Sequence, residues 1–344
     1  MTVAEGARRD AGSAIVGLDT VALVGVTAAG KSASALEVAR TVAASGAPPV
    51  ELVSVDSMAV YRGMDIGTDK PGPAVRAEVP YHLIDIAEPG EDFSVRAFQD
   101  AAALALAGVG ARRHRALLVG GTGLYLRAVV DGLRFPGRFP HVSARLTAEL
   151  TAAGSPGSTE RRRHVAELHT RLAELDPPAA ARMEMANERR ILRALEVTLG
   201  SGRPFSSFGP GLERYPDTPV KLIGIQPDLT GLDRRIHERL TRQMEAGFLD
   251  EVARLAARPR GLSRTARQAL GYRELLAHLH ESIPLTEALA AIEQRTRAFA
   301  RRQWAWFRRD PRIEWVDSAE AATGRVVACL SAEAGGAVGD WPGR

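Results

Sequence analysis

At 344 residues, with 45% apolar and 25% charged residues, the chain is long enough to bury a large core, and its composition excludes a fibrous or disordered protein. The single Cys329 excludes internal disulfides and any cysteine-based zinc site and fits a reducing cytoplasm, and no apolar run reaches the ~18 residues that span a membrane. Formal net charge is only +4, but the 45 basic residues are nearly all arginine and unevenly spread, which suggests a polyanionic partner.

Residues 1–18 are polar, lack an apolar signal core, and read as a loose tail. Val21, Ala22, Leu23 and Val24 then read as a buried strand, and the stretch from Ser32 reads as a helix that stops near residues 45–49. Between them, G-V-T-A-A-G-K-S at residues 25–32 matches G-x-x-x-x-G-K-[ST] in the strand-before, helix-after context this loop requires. The chemistry follows from the residue types. Gly25 and Gly30 let the backbone turn its N–H groups inward around Thr27, Ala28 and Ala29, and the helix start adds positive partial charge. Lys31 neutralises phosphate, and Ser32 can hold Mg²⁺. This loop binds a phosphorylated ligand.

Residues 50–55 read as the next strand. Ligands of an open parallel sheet sit at the carboxyl ends of its strands, so Asp56 is expected beside the phosphate loop. A carboxylate there can ligate Mg²⁺, accept a proton, or cap the following turn, and position alone leaves all three open. Residues 63–71 form a loop carrying Gly63, Gly67 and Lys70 at the same edge. Residues 81–86 read as a short strand with a structural His82, and residues 93–106 as an Ala-rich helix. Residues 115–119 form a further strand ending in Gly120, Gly121, Thr122 and Gly123. Glycines so concentrated imply close approach of the backbone to a ligand, or a tight left-handed turn.

From residue 134 the character changes to polar, Ala/Leu/Glu/Arg-rich helices, expected as an insertion domain over 134–186 whose Arg161, Arg162 and Arg163 form a solvated face. An amphipathic helix with Ile191, Ala194, Leu195 and Thr198 on one side opens the second part of the core, residues 187–317. There follow a strand at 220–225, a long helix from residue 232 to Gly247, and another helix opened by Arg267 and Gln268. The last long helix holds six arginines and four aromatics in residues 295–309, with no acid. Arginines pair with phosphates and stack on bases, while Trp304 and Trp306 serve as stacking platforms or core anchors. Residues 313–317 close the sheet and 318–344 read as a tail. The fold class is α/β: a P-loop NTPase-like parallel sheet flanked by helices, its first part over residues 19–133, with a helical insertion domain.

The chain resembles the bacterial tRNA dimethylallyltransferases in a series of stretches that fall in the family's order. They are the phosphate loop, V-D-S-M-A-V-Y-R-G-M-D-I-G-T-D-K-P at 55–71, H-L-I-D at 82–85, V-G-G-T-G-L-Y at 119–125, R-I-L-R-A-L-E-V at 190–197, A-L-G-Y-R-E at 269–274 and T-R-A-F-A-R-R-Q-W-A-W-F at 296–307. The 55–71 stretch is the most specific of these. The resemblance implies transfer of a dimethylallyl group from dimethylallyl diphosphate to the exocyclic amine of the adenosine 3′ of the anticodon in a tRNA anticodon stem-loop. It also implies Mg²⁺ as cofactor, a monomer, and a base flipped out of its stack to meet the donor. Residue by residue it implies Asp56 as general base, Thr122 beside the reacting groups, and Arg235 on the diphosphate held by residues 25–32. Its tRNA contacts fall on Asp56, Ser57, Met58, Ala59, Thr122, Arg189, Arg190, Arg193, Gln268, Gly271, Tyr272, Arg273, Arg301, Arg302, Gln303, Trp306 and Arg308. Val26 and Ala29 stand where the family usually shows Pro and Ser, and Ala59 where Gln is frequent. A small-molecule kinase or an adenylate-directed prenyltransferase would share the loop. Neither gives the basic-aromatic helix a client. A non-catalytic RNA-binding protein would leave Asp56 as a cap only.

Overall fold

The computed structural model describes residues 19–331 apart from 210 and 282; the tail expected over residues 1–18, and residues 332–344, lie outside the described residues. In chain order the elements are β1 (Thr20–Val24), α1 (Lys31–Ala44), β2 (Val50–Val55), α2 (Pro73–Glu78), β3 (Tyr81–His82), α3 (Val95–Ala111), β4 (Arg115–Gly120) and α4 (Gly123–Val130). Four helices follow, α5 (Pro140–Ala152), α6 (Thr159–Leu175), α7 (Pro177–Ala180) and α8 (Glu188–Ser201). The chain then forms β5 (Lys221–Ile225), α9 (Leu229–Glu245), α10 (Phe248–Ala256), α11 (Tyr272–Glu281), α12 (Leu285–Phe307), β6 (Ile313–Val316) and α13 (Ala319–Ser331).

The strands form one sheet in the order β3-β2-β4-β1-β5-β6, each pair parallel. Both faces are covered, which is why the inner strands are rich in apolar residues. Along β1, Ala22 and Val24 enter one layer and Val21 and Leu23 the other. The first layer packs Phe98, Leu106, Leu126 and Val129 of α3 and α4, together with Phe248, Tyr272 and Phe307 from the C-terminal helices. The second is closed by Val38 and Val42 of α1 and by Ala322, Val326 and Leu330 of α13. The tail expected from residue 318 is therefore, over Ala319–Ser331, a helix that seals a sheet face. Its Val326 and Leu330 are buried, each a contribution of roughly 1.5–3 kcal/mol.

The chain divides into two compact units, residues 1–132 with 216–344, and residues 133–215. The second unit has its own core, in which Leu146 and Leu150 of α5 meet Val165, Leu168 and Leu172 of α6 and Ile191, Ala194 and Leu195 of α8. The helix beginning at residue 188, expected to return to the sheet, thus completes this smaller core instead. Its apolar stripe was legible, but a stripe does not say which core it faces. Arg161, expected on a solvated face, holds Glu188 at 2.8 Å and the Leu150 and Gly154 carbonyls at 3.2 Å each.

Two other boundaries moved for local reasons. Asp228 accepts from the N–H groups of Thr230 and Gly231, so α9 begins at Leu229, ahead of the expected residue 232. Residues 266–268 form only a short 3₁₀ turn, and the helix that follows starts at Tyr272 after Gly271, whose φ is +88°.

Candidate active site

β2, β4 and β1 are neighbours, and Val55, Gly120 and Val24 lie level at their carboxyl ends. The residues that come next, Asp56, Gly121 and Gly25, therefore start three loops along one sheet edge.

The loop after β1 is the one expected to cradle phosphate. Gly30 precedes α1 at φ +87°, a left-handed conformation open to glycine at little cost, and Ala28 turns the chain at φ +60°. Lys31 curls back so that Nζ donates to the Val26 carbonyl at 2.6 Å. Burial pulls its ammonium down to about 8, the Arg239 guanidinium pushes the same way, and Asp56 opposes both. Two arginines of α9 reach this loop. Arg235 donates through Nε to the Ala28 carbonyl at 3.1 Å while its terminal nitrogens hold Asp228, at 3.0 Å to Oδ2 and 2.9 Å to the carbonyl. Arg239 donates to Thr27 Oγ1 at 3.1 Å and stands 3.6 Å from Asp69. Sequence reasoning singled out Arg235 and missed Arg239. The available signal was spacing, since a residue four along lies on the same helix face.

On the neighbouring strand ends, Asp56 Oδ1 accepts from the N–H groups of Met58 at 2.7 Å and Ala59 at 3.3 Å, which is the capping arrangement. The cap uses only Oδ1. Thr122 joins the two loops: its N–H donates to the Val55 carbonyl at 3.3 Å, and its Oγ1 accepts from the Ser57 N–H at 3.2 Å. The glycines around it take no positive φ. They are small because protein approaches them closely. A Cβ on Gly120 would lie 2.0 Å from the Val55 carbonyl oxygen, one on Gly121 2.2 Å from Gln303 Nε2, and one on Gly123 2.1 Å from Trp306 Nε1. Neither the ligand nor the left-handed turn expected from sequence accounts for these three positions.

The residues expected to touch RNA separate into two groups. Arg301 and Arg302 are exposed on α12 and Arg308 just after its end, and Gln268 and Arg273 are exposed near the start of α11. In the second unit Arg189 and Arg190 are exposed on α8, while Arg193 is held by Glu196 at 2.8 Å and by the Pro136 carbonyl at 2.9 Å. Trp306, partly buried, lies under the Arg309 guanidinium and against Gly123. Three of these residues are buried. The Ala59 and Tyr272 side chains are core residues, Tyr272 donating its hydroxyl to Glu251 at 2.6 Å, and burial pushes that phenol upward. Gln303 is buried between the phosphate loop and Gly121. His82 is structural, as expected, on the buried Glu51 at 2.5 Å.

Among the described residues no cluster of three or more His, Cys, Asp or Glu could hold a metal ion. What this edge offers is the exposed Ser32 hydroxyl and the Asp56 carboxylate. Hard oxygens of this kind fit Mg²⁺, which takes the rest of its shell from phosphate and water.

The model of the IPP transferase family matches residues 59–310. The chain belongs to the IPP transferase family. The tRNA dimethylallyltransferase of Acidothermus cellulolyticus is 45% identical over 305 residues, covering 88% of this chain and 90% of the relative. That of Desulforudis audaxviator is 42% identical over 300 residues, covering 87% and 92%. Among solved structures, the tRNA isopentenylpyrophosphate transferase of Bacillus halodurans superposes with a TM-score of 0.61 at 32% identity, over 90% of this chain and 96% of that one. A eukaryotic dimethylallyltransferase acting on tRNA shares the fold, with a TM-score of 0.66 at 22% identity, over 90% and 78%. The family match begins after the phosphate loop, and the α9 arginines that reach the loop fall within it.

Proposed function

We propose that the chain prenylates tRNA, transferring a dimethylallyl group from dimethylallyl diphosphate to the exocyclic amine of the adenosine 3′-adjacent to the anticodon. The observation that carries this reading is the single sheet edge on which a phosphate loop, flanked by Arg235 and Arg239, meets Asp56 and Thr122 of the neighbouring strand ends. Family membership supplies the acceptor.

The amine nitrogen forms its bond to the allylic carbon as the carbon–oxygen bond of the donor breaks. The diphosphate leaves with that electron pair, and the nitrogen's proton passes to Asp56. The charge that grows on the leaving group is the main electrostatic problem, and fixed donors aimed at it are the main remedy. Backbone N–H groups of residues 28 and 30–32, Lys31, Arg239 and the positive start of α1 supply them. Ser32 would hold Mg²⁺, which would add charge neutralisation there. Asp56 keeps its loop in place through Oδ1, and proton acceptance by a positioned carboxylate typically contributes about 10²–10⁴-fold. The exposed arginines of α12 supply phosphate contacts for the RNA.

The test is transfer of labelled dimethylallyl from its diphosphate to an anticodon stem-loop, with ATP hydrolysis followed in parallel. Label that enters the RNA, and is lost when the target adenosine is replaced, is the expected result. ATP turnover without labelling would overturn the proposal in favour of a kinase.

A further inference from the structure

Thr27, in the middle of the phosphate loop, is held by protein through both its N–H and its hydroxyl oxygen. Its N–H donates to Gln303 Oε1 at 2.8 Å, and its Oγ1 accepts from Arg239. The other half of the Gln303 amide, Nε2, donates to the Gly121 carbonyl at 2.9 Å. The orientation of that amide is fixed by chemistry, because a flipped group would set N–H against N–H and oxygen against oxygen. Gln303 is 7% exposed, and a single Cβ on Gly121 would collide with it, so it has no other place to go. Gly121 adjoins Thr122, which accepts from Ser57 next to Asp56. One side chain of α12 thus ties the loop after β1 to the loop after β4, and through Thr122 to the loop after β2.

We propose that Gln303 is a positioning residue: it fixes the phosphate loop relative to Thr122 and Asp56, and so sets where the donor's diphosphate lies against the acceptor side of the site. The inference rests on the reading of residues 25–32 as the diphosphate cradle. Gln303 acts through the Thr27 and Gly121 backbones and has no surface to offer RNA.

The probe is inorganic pyrophosphate, titrated calorimetrically into the full chain. Gln303→Met keeps the volume and removes both bonds. Its pyrophosphate affinity is expected to fall about tenfold, the equivalent of one net hydrogen bond, while stem-loop binding without donor stays at the wild-type level. Gln303→Glu distinguishes positioning from mere stability. As a carboxylate it keeps the acceptor for Thr27, loses the donor to Gly121 and sets a negative charge beside the loop; once protonated it is isosteric with Gln and restores both bonds. The ratio of its pyrophosphate affinity to that of the wild type is therefore expected to rise toward one as the pH is lowered from 7, a range that starts below the value of about 8 at which Lys31 sheds its proton. The other charged groups about the loop, Arg239 and Asp56, are present in both proteins. Unchanged affinity in Gln303→Met, or a ratio that does not move with pH, overturns the proposal. Wild-type pyrophosphate binding without any prenyl transfer would overturn the functional reading and leave the positioning result standing.

Discussion

Arg239→Met should have two consequences of opposite sign, which makes it the sharpest test of the phosphate site. Arg239 lies 3.1 Å from Thr27 Oγ1 and stands close enough to Lys31 to depress it. A hydrogen bond to a charged group is worth about 1.5–3 kcal/mol, so losing this guanidinium should weaken pyrophosphate binding about 10- to 150-fold at pH 7. Removing its repulsion should also let the Lys31 ammonium climb from about 8 back toward 10.5. In the wild type, Lys31 sheds its proton as the pH passes about 8, so affinity should fall by up to about tenfold per pH unit beyond that point. In the variant that break should move to higher pH. Calorimetric titration of pyrophosphate into both proteins from pH 7 to 10 measures both effects, and the protonation of pyrophosphate itself is common to the two curves. Equal affinities at pH 7, or a break that stays in place or moves down, would refute the assignment of Arg239 to the diphosphate.

Asp56→Asn keeps an oxygen to accept from Met58 and Ala59, so its melting temperature should match the wild type while single-turnover transfer drops about 10²–10⁴-fold; transfer at the wild-type rate would reduce Asp56 to a cap. Glu51 is 2% exposed, and although burial alone would raise it, bonds from Arg112, His82 and His114 hold its carboxyl down to about 2. A depressed carboxylate stabilises the fold above its ordinary value of 4.5 and loses that contribution as the pH falls toward 2, here roughly 3 kcal/mol. Urea unfolding between pH 5 and 2 should show this loss in the wild type and not in Glu51→Gln; parallel curves would contradict it. Arg301→Glu with Arg302→Glu should weaken stem-loop binding and flatten its dependence on salt by about one unit of slope per lost phosphate contact. A slope equal to that of the wild type would mean that these side chains face away from the RNA.

How much of this was legible in the sequence depended on the range over which each signal acts. β1, β2, β4 and β5 were legible because strands buried on both faces are predominantly apolar, and the phosphate loop because its chemistry is contained in eight consecutive positions. The placement of Asp56 and Thr122 at one edge followed from the rule that parallel strands deliver their carboxyl ends together. α13 was not legible. Its buried face is Ala322, Val326 and Leu330 in a stretch otherwise of Ala, Gly and polar residues, too thin a stripe to outweigh the tail-like composition beyond it. The boundary of the insertion failed for a different reason, since the amphipathic face of α8 looks the same whether it meets a sheet or a second helical core.

The glycines after β4 show where local reasoning stops. From sequence they pointed to a ligand or a strained turn, because glycine records only that space is scarce and not what fills it. What fills it comes from α12, 182 residues further on in the case of Gln303 and Gly121. The basic-aromatic helix was read as either an RNA-binding surface or a core element. Its periodicity lets it be both: Gln303 and Phe307 face inward while Arg301 and Arg302 face out. The same helix therefore bears the charges suited to a polyanion on one side and, on the other, the amide that holds two loops of the site at a fixed spacing.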